Sequence, residues 1–116
     1  MSESTPIDIK ATSEFQRKVK SLSKKYRHIK TDLQPILARL SQGEKLGDPI
    51  SGLKFTVYKL RIKNSDVQKG KSGGYRLIYW LEKAECIVLL DIYTKSQQEN
   101  FEVKKIVQII NNFEWL

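Results

Sequence analysis

The spacing of apolar residues changes twice along this chain, from a helical period to a strand period and back. From Ser13 the apolar residues recur at helical spacing over four turns. A second helix is predicted from Thr31, because Thr31 and Gln34 resemble a capping box, and Gly43 is expected to end it. The apolar positions of these two helices are Phe15, Val19, Leu22, Tyr26 and Ile29, then Leu33, Ile36, Leu37 and Leu40.

Between residues 54 and 63 the period falls to two, which is typical of a strand with one polar face. The apolar residues there are Tyr58, Leu60 and Ile62, and the basic residues between them are Lys59, Arg61 and Lys63. Residues 75–81 and 87–93 are rich in β-branched and aromatic residues and predict two further strands. A capping box at Ser96 and Glu99 precedes a final helix with an apolar face.

With a short strand at residues 7–9, these elements predict the order β-α-α-β-β-β-α. We therefore expect an α+β fold in which the helices pack on one face of a mostly antiparallel sheet. The other sheet face, with its row of basic residues, is then left to line a groove. A chain of 116 residues has room for one core, so residues 1–116 are expected to form a single domain.

The charge is strongly positive, with 21 basic and 13 acidic residues and a net charge of +8. Residues 1–76 hold 17 basic and 7 acidic residues, a net charge of +10, whereas residues 77–116 hold 4 and 6, a net charge of −2. Clustered positive charge binds polyanions by releasing counterions from phosphates, so the asymmetry indicates a nucleic-acid partner. The competing interpretation is that the lysines only keep the surface soluble.

Several classes of protein are disfavoured. No apolar run approaches the roughly 20 residues that span a bilayer, and the polar N-terminus has no signal-peptide core, so we expect a cytoplasmic protein without a membrane partner. Cys86 is the single cysteine and is expected to be a buried small hydrophobe. With that cysteine and one histidine, His28, which is expected at the surface, we predict no metal site and no cofactor.

The candidate chemistry lies on the predicted sheet. Alternate residues of a strand are roughly 6.5 to 7 Å apart, close to the spacing of neighbouring phosphates, so Lys59, Arg61 and Lys63 would form a cationic row. Arg76 on the next strand and Tyr93 with Lys95 on the last strand are expected to join it. Cations and a phenol can stabilise a pentavalent phosphate, which favours RNA cleavage by the substrate's own 2′-hydroxyl over metal-assisted hydrolysis.

Such a cleavage needs a group that removes the proton of the 2′-hydroxyl. Crowding by Arg61 and Lys63 disfavours the protonated form of Lys59, so the row could both bind phosphate and supply the base. Lys54, Lys69 and Lys71 are predicted to contact RNA together with Lys63. The alternative is a solvated strand face whose charges only prevent edge-to-edge aggregation.

Two segments carry a family resemblance. Gly73-Gly74-Tyr75-Arg76 opens a strand, and residues 87–95 form an apolar strand that ends in Tyr93-Thr94-Lys95-Ser96 before a terminal helix. This pattern is similar to the RelE/ParE toxin superfamily, especially its HigB-like branch. The similarity covers residues 7–111 and is strongest over residues 55–99.

The resemblance implies a ribosome-dependent endoribonuclease that needs no metal and is held inactive by a cognate antitoxin. It assigns the family's basic strand residues to Lys59, Arg61 and Lys63, its arginine to Arg76 and its last basic residue to Lys95. The chain departs from RelE at Phe101, near which that enzyme has a tyrosine. Tyr93 is a nearby source of a phenol.

Two other functions stay open. A ParE-like inhibitor of DNA gyrase would cut nothing and would need no row of cations, so the four residues Lys59, Arg61, Lys63 and Arg76 argue against it. An RNA-binding domain without catalytic activity is favoured if Phe101 marks lost chemistry. Ribosome and mRNA are the expected substrates in the first case, and the antitoxin is expected to meet first-helix cations such as Lys20 and Lys24.

Overall fold

The computed structural model of the protein describes residues 6–67, 74–95 and 100–113. Three helices and five strands follow one another in these ranges. They are β1 (Asp8–Ala11), α1 (Ser13–Ser23), α2 (Ile29–Ser41), β2 (Asp48–Pro49), β3 (Val57–Ile62), β4 (Tyr75–Lys83), β5 (Cys86–Thr94) and α3 (Val103–Asn112).

The strands form one sheet in the order β1-β5-β4-β3-β2. β1 runs parallel to β5, whereas the other three neighbouring pairs are antiparallel. The predicted α+β class and mostly antiparallel sheet are therefore confirmed. The sequence pattern does not predict β2, because a strand of two residues has no alternation to detect.

α1 and α2 pack as a hairpin against one face of the sheet. Thr12 caps α1: its side-chain oxygen accepts the backbone N–H of Phe15 at 3.1 Å and donates to the carbonyl of Leu89 at 3.0 Å. The cap thus ties the start of the helix to β5. The core of this layer includes Phe15, Leu22, Leu33 and Leu40 from the helices and Ile62, Leu77, Tyr79, Ile87 and Leu89 from the sheet.

The connection between α1 and α2 lies earlier in the chain than predicted. α1 ends at Ser23 and α2 begins at Ile29, so Thr31 lies inside α2 and the predicted capping box there is wrong. Tyr26 in the turn stays buried because its ring meets the edge of the Tyr75 ring, with centroids 5.8 Å apart. Helical spacing of apolar residues therefore continues across the break. Gly43, with φ of 98°, follows the end of α2 as predicted.

α3 packs against the opposite face of the sheet, so the prediction of all helices on one face is wrong. Its residues Ile106 and Ile110 join Val57, Ile78 and Val88 in a second core cluster, separate from the one under α1 and α2. β4 and β5 are apolar at successive positions, which is typical of strands buried on both faces. The face predicted to be free is consequently half covered, and the cationic row lies beside α3.

Cys86 is buried at the start of β5, with 3% of its surface exposed, which confirms the prediction for this residue. Burial raises the pKa of its thiol, and the charges of Glu82 and Asp8 raise it further. No helix within the described residues combines the length and apolar character that crossing a bilayer requires.

Candidate functional site

Two rows of side chains run across β3, β4 and β5 on the face that α3 partly covers. Arg61 lies opposite Arg76, and Arg76 lies opposite Tyr93. Lys59 lies opposite Ile78 in the neighbouring row. Opposite residues of antiparallel strands point to the same face with Cβ atoms about 5 Å apart. The fold therefore brings together four predicted residues, Lys59, Arg61, Arg76 and Tyr93, which we call the cationic face.

The two arginines of the cationic face are held side by side without an acid between them. Burial lowers the pKa of Arg76 from its usual value, and the like charge of Arg61 lowers it further. No acidic side chain in the described ranges forms an ion pair with Lys59, Arg61 or Arg76. Uncompensated positive charge at a half-buried position favours the binding of an anion, and a phosphate can bridge two guanidinium groups.

Gly74 makes room for this pair of arginines. A Cβ atom at this position would lie 2.8 Å from the carbonyl oxygen of Ile62 and 3.3 Å from Nη1 of Arg76. It would also lie 3.5 Å from Cγ of Arg61. The second glycine of the Gly-Gly-x-Arg pattern is therefore required by close packing at the site and not by its backbone dihedral angles.

Tyr93 ends the arginine row as a buried phenol, with 2% of its surface exposed. Burial raises the pKa of Tyr93, the positive charge of Arg76 lowers it, and the negative charge of Asp91 raises it. Because the net shift is upward, the hydroxyl keeps its proton at neutral pH. Tyr93 can therefore donate a hydrogen bond or a proton to an oxygen bound by Arg76, but it is not suited to act as a base.

Lys59 is held by an aromatic contact. Its Nζ lies 5.3 Å from the ring centroid of Phe101. A lysine ammonium is attracted to the face of an aromatic ring, so Phe101 orients Lys59 as a cation. The proton-accepting role expected for Lys59 stays a prediction.

The remaining predicted residues surround the cationic face. Lys63 is exposed directly after β3, and Lys95 is exposed directly after β5, the strand that carries Tyr93. Lys54 is exposed in the loop before β3 and lines a groove against α3. Lys69 and Lys71 lie outside the described residues.

Two charged residues near the site were missed by sequence reasoning. Asp48 lies opposite Lys59 on β2, at the edge of the same row. Lys18 of α1 forms an ion pair with Asp91, with Nζ and Oδ1 2.7 Å apart. The sequence places Asp91 on the face of Tyr93, but only the packing of α1 against β5 reveals its partner. The one available signal is that Lys18 adjoins the apolar stripe of α1.

His28 is exposed, as predicted, and contacts the loop that follows β3. Its backbone N–H and its Nδ1 lie 2.8 and 2.7 Å from the carboxylate of Asp66, and these contacts lower the pKa of Asp66. Trp80 meets the ring of Phe55 edge-on, and both rings pack against the second core cluster.

Comparison with known proteins adds no family assignment: no protein-family model matches the chain, and a search of curated proteins found no significant match.

Proposed function

We propose that this chain is the toxin of a type II toxin-antitoxin pair, with a RelE-like fold, and that it cleaves mRNA on the ribosome. The observation that carries the proposal is the row Arg61-Arg76-Tyr93, in which two adjacent guanidinium groups end at a protonated phenol. Such a row can bind a phosphodiester and protonate one of its oxygens. The resemblance at residues 73–76 and 93–96 supports the choice of RNA as the substrate.

In the proposed reaction the 2′-oxygen of the substrate attacks the neighbouring phosphorus and the bond to the 5′-oxygen breaks. The products are a 2′,3′-cyclic phosphate and a 5′-hydroxyl. Arg76 and Arg61 bind the non-bridging oxygens, where negative charge develops, and Tyr93 gives its proton to the departing 5′-oxygen. Lys59 lies near the nucleophile as a cation and stabilises its developing negative charge, water takes up the proton of the 2′-hydroxyl, and Lys95 stabilises charge on the phosphate. The internal nucleophile makes a metal ion unnecessary.

The proposed partners follow from the charge of the surface. An antitoxin with an acidic segment would cover exposed cations at α1, such as Lys20 within the helix and Lys24 directly after it. Charge reversal at these two positions is expected to weaken that complex.

Expression of the chain in bacteria, with mapping of transcript 5′ ends, tests the proposed function. The wild type is expected to stop growth and to produce cuts in phase with codons of translated messages. Arg76→Ala is expected to abolish the cuts while keeping the fold, because a half-exposed strand residue contributes little to stability. Arg39→Ala, which removes an exposed arginine of α2 that is not part of the cationic face, serves as the control.

The alternatives give different results. Double-strand DNA breaks without RNA cuts would identify a gyrase inhibitor, and an absence of any growth effect would identify a domain without catalytic activity. Normal toxicity of a folded Arg76→Ala protein would show that the assignment of the site to Arg76 and its neighbours is wrong.

A further inference from the structure

A groove of about 320 Å³ lies between α3 and the loop before β3. Its walls include Phe55 and Lys54 from the loop and Val103, Val107 and Asn111 from α3. Val103 is 42% exposed and is the one large apolar side chain classed as exposed within the described residues. The groove therefore presents apolar surface to solvent, with one ammonium group and one amide at its edges.

The groove lies near the Lys59 end of the cationic face. Phe101, which holds Lys59, precedes Val103 by two residues, and Phe55 precedes Lys59 by four residues. Phe55 precedes Arg61, the residue opposite Arg76, by six residues, and six residues of extended chain span at most about 20 Å, or about three nucleotides of an extended strand. An RNA strand with a phosphate at Arg76 would thus reach the groove with a base about three nucleotides away.

The chemistry of the groove matches an unstacked base. Phe55 contacts Trp80 edge-on, at 5.6 Å between centroids, and its ring forms an apolar part of the groove wall. Unpaired bases in protein complexes are held by aromatic and apolar surfaces on their faces and by hydrogen bonds on their edges. The Asn111 amide offers both donors and an acceptor, and Lys54 offers a cation to a base oxygen or a phosphate.

We propose that this groove binds a nucleobase of the RNA strand whose backbone lies on the cationic face, an inference that rests on the proposed function. The base is within about three nucleotides of the cut. The groove contributes to sequence preference, and Asn111 reads the base edge.

Cleavage on ribosomes programmed with a defined mRNA tests this binding. Val103→Glu places a carboxylate in the groove, and the fold should tolerate it because Val103 is exposed and an acidic residue is favourable at a helix N-terminus. Gln108→Glu makes the same charge change on an exposed position of α3 outside the groove. Each variant is compared on the intact mRNA and on mRNAs with one abasic nucleotide at successive positions near the cut.

The wild type is expected to lose about tenfold in cleavage rate at low enzyme concentration when the abasic nucleotide replaces the bound base. Val103→Glu should show the same loss of cleavage rate already on intact mRNA, and the abasic nucleotide should cause no further loss in this variant. Gln108→Glu should cleave both mRNAs at the wild-type rates. Equal rates for the two glutamate variants, with Arg76→Ala inactive, would overturn the base-binding groove and leave the proposed function standing. Absence of cleavage by the wild type would overturn both.

Discussion

Lys18 and Asp91 join α1 to β5 next to the cationic face, with Nζ and Oδ1 2.7 Å apart. The register shift between Ile78 and Tyr79 on β4 leaves Leu90 as an extra residue of β5 and places Asp91 opposite Ile78. Only 5% of the Asp91 side chain is exposed, and its charge raises the pKa of Tyr93. Lys18 therefore neutralises a nearly buried carboxylate that acts on the phenol of Tyr93.

Removal of Lys18 is expected to destabilise the protein through this carboxylate. Lys18→Met should lower the free energy of unfolding by about 1–3 kcal/mol, less than for a fully buried pair because a quarter of the Lys18 side chain is exposed. The double variant Lys18→Met/Asp91→Asn should recover most of the loss, since no charge is then left unpaired. Urea denaturation measures all of these values, and Lys24→Met is an exposed control. Additive losses in the double variant would contradict this account of the pair.

Substitution of Gly74 is expected to affect activity as well as stability. In Gly74→Ala the new methyl group meets the carbonyl oxygen of Ile62, which belongs to the backbone and cannot move alone. We expect a loss of about 1–3 kcal/mol in stability, and at least about a tenfold loss in the rate of mRNA cleavage because Arg76 is displaced.

Gly43→Ala provides the matched comparison for Gly74→Ala. A Cβ atom added at Gly43 would have no atom within 4 Å, so the loss of stability in Gly43→Ala comes from the positive φ of 98°. It should lose about 1 kcal/mol in stability and keep the cleavage rate within about twofold, as expected for a helix end away from the site. Equal effects of the two substitutions on cleavage would show that Gly74 has no particular role at the arginine pair.

The hydroxyl of Tyr93 is expected to act as a proton donor. Tyr93→Phe keeps the buried ring and should lower the cleavage rate about 100-fold, a typical loss for a general acid. Because the pKa of Tyr93 is raised above its usual value of 10.0, the wild-type phenol keeps its proton throughout the range from pH 7 to 9. The ratio of wild-type to variant rates should therefore be constant over that range. A ratio that falls steadily toward pH 9 would mean that the group titrates there and would contradict the assignment.

The cationic row was predictable because it depends on local sequence alone. Strand residues alternate between two faces, so Lys59 and Arg61 had to share a face once β3 formed, whereas Lys63 lies just beyond the end of β3. The same alternation placed Tyr93 and Asp91 together, and the Gly73-Gly74 pair preceded Arg76 by a fixed distance. Arg61 and Arg76 could therefore both be predicted as site residues from the sequence. That they lie opposite each other on β3 and β4 depends on the strand register.

The position of α3 and the residues that it brings to the site were decided by tertiary structure. Periodicity shows which side of a helix is apolar, but it does not show which face of a sheet that side will cover. β4 and β5 are apolar on both faces, so α3 could pack against either face. Its packing against the face of Lys59 brings Phe101 into contact with Lys59 and forms the groove at Val103. The Lys18–Asp91 ion pair likewise joins residues 73 positions apart in sequence. The sequence alone determined which segments form helices and the longer strands, but not where each helix begins, and it determined the charge of one strand face, because these properties depend on neighbouring residues. Packing between distant segments determined which groups meet there.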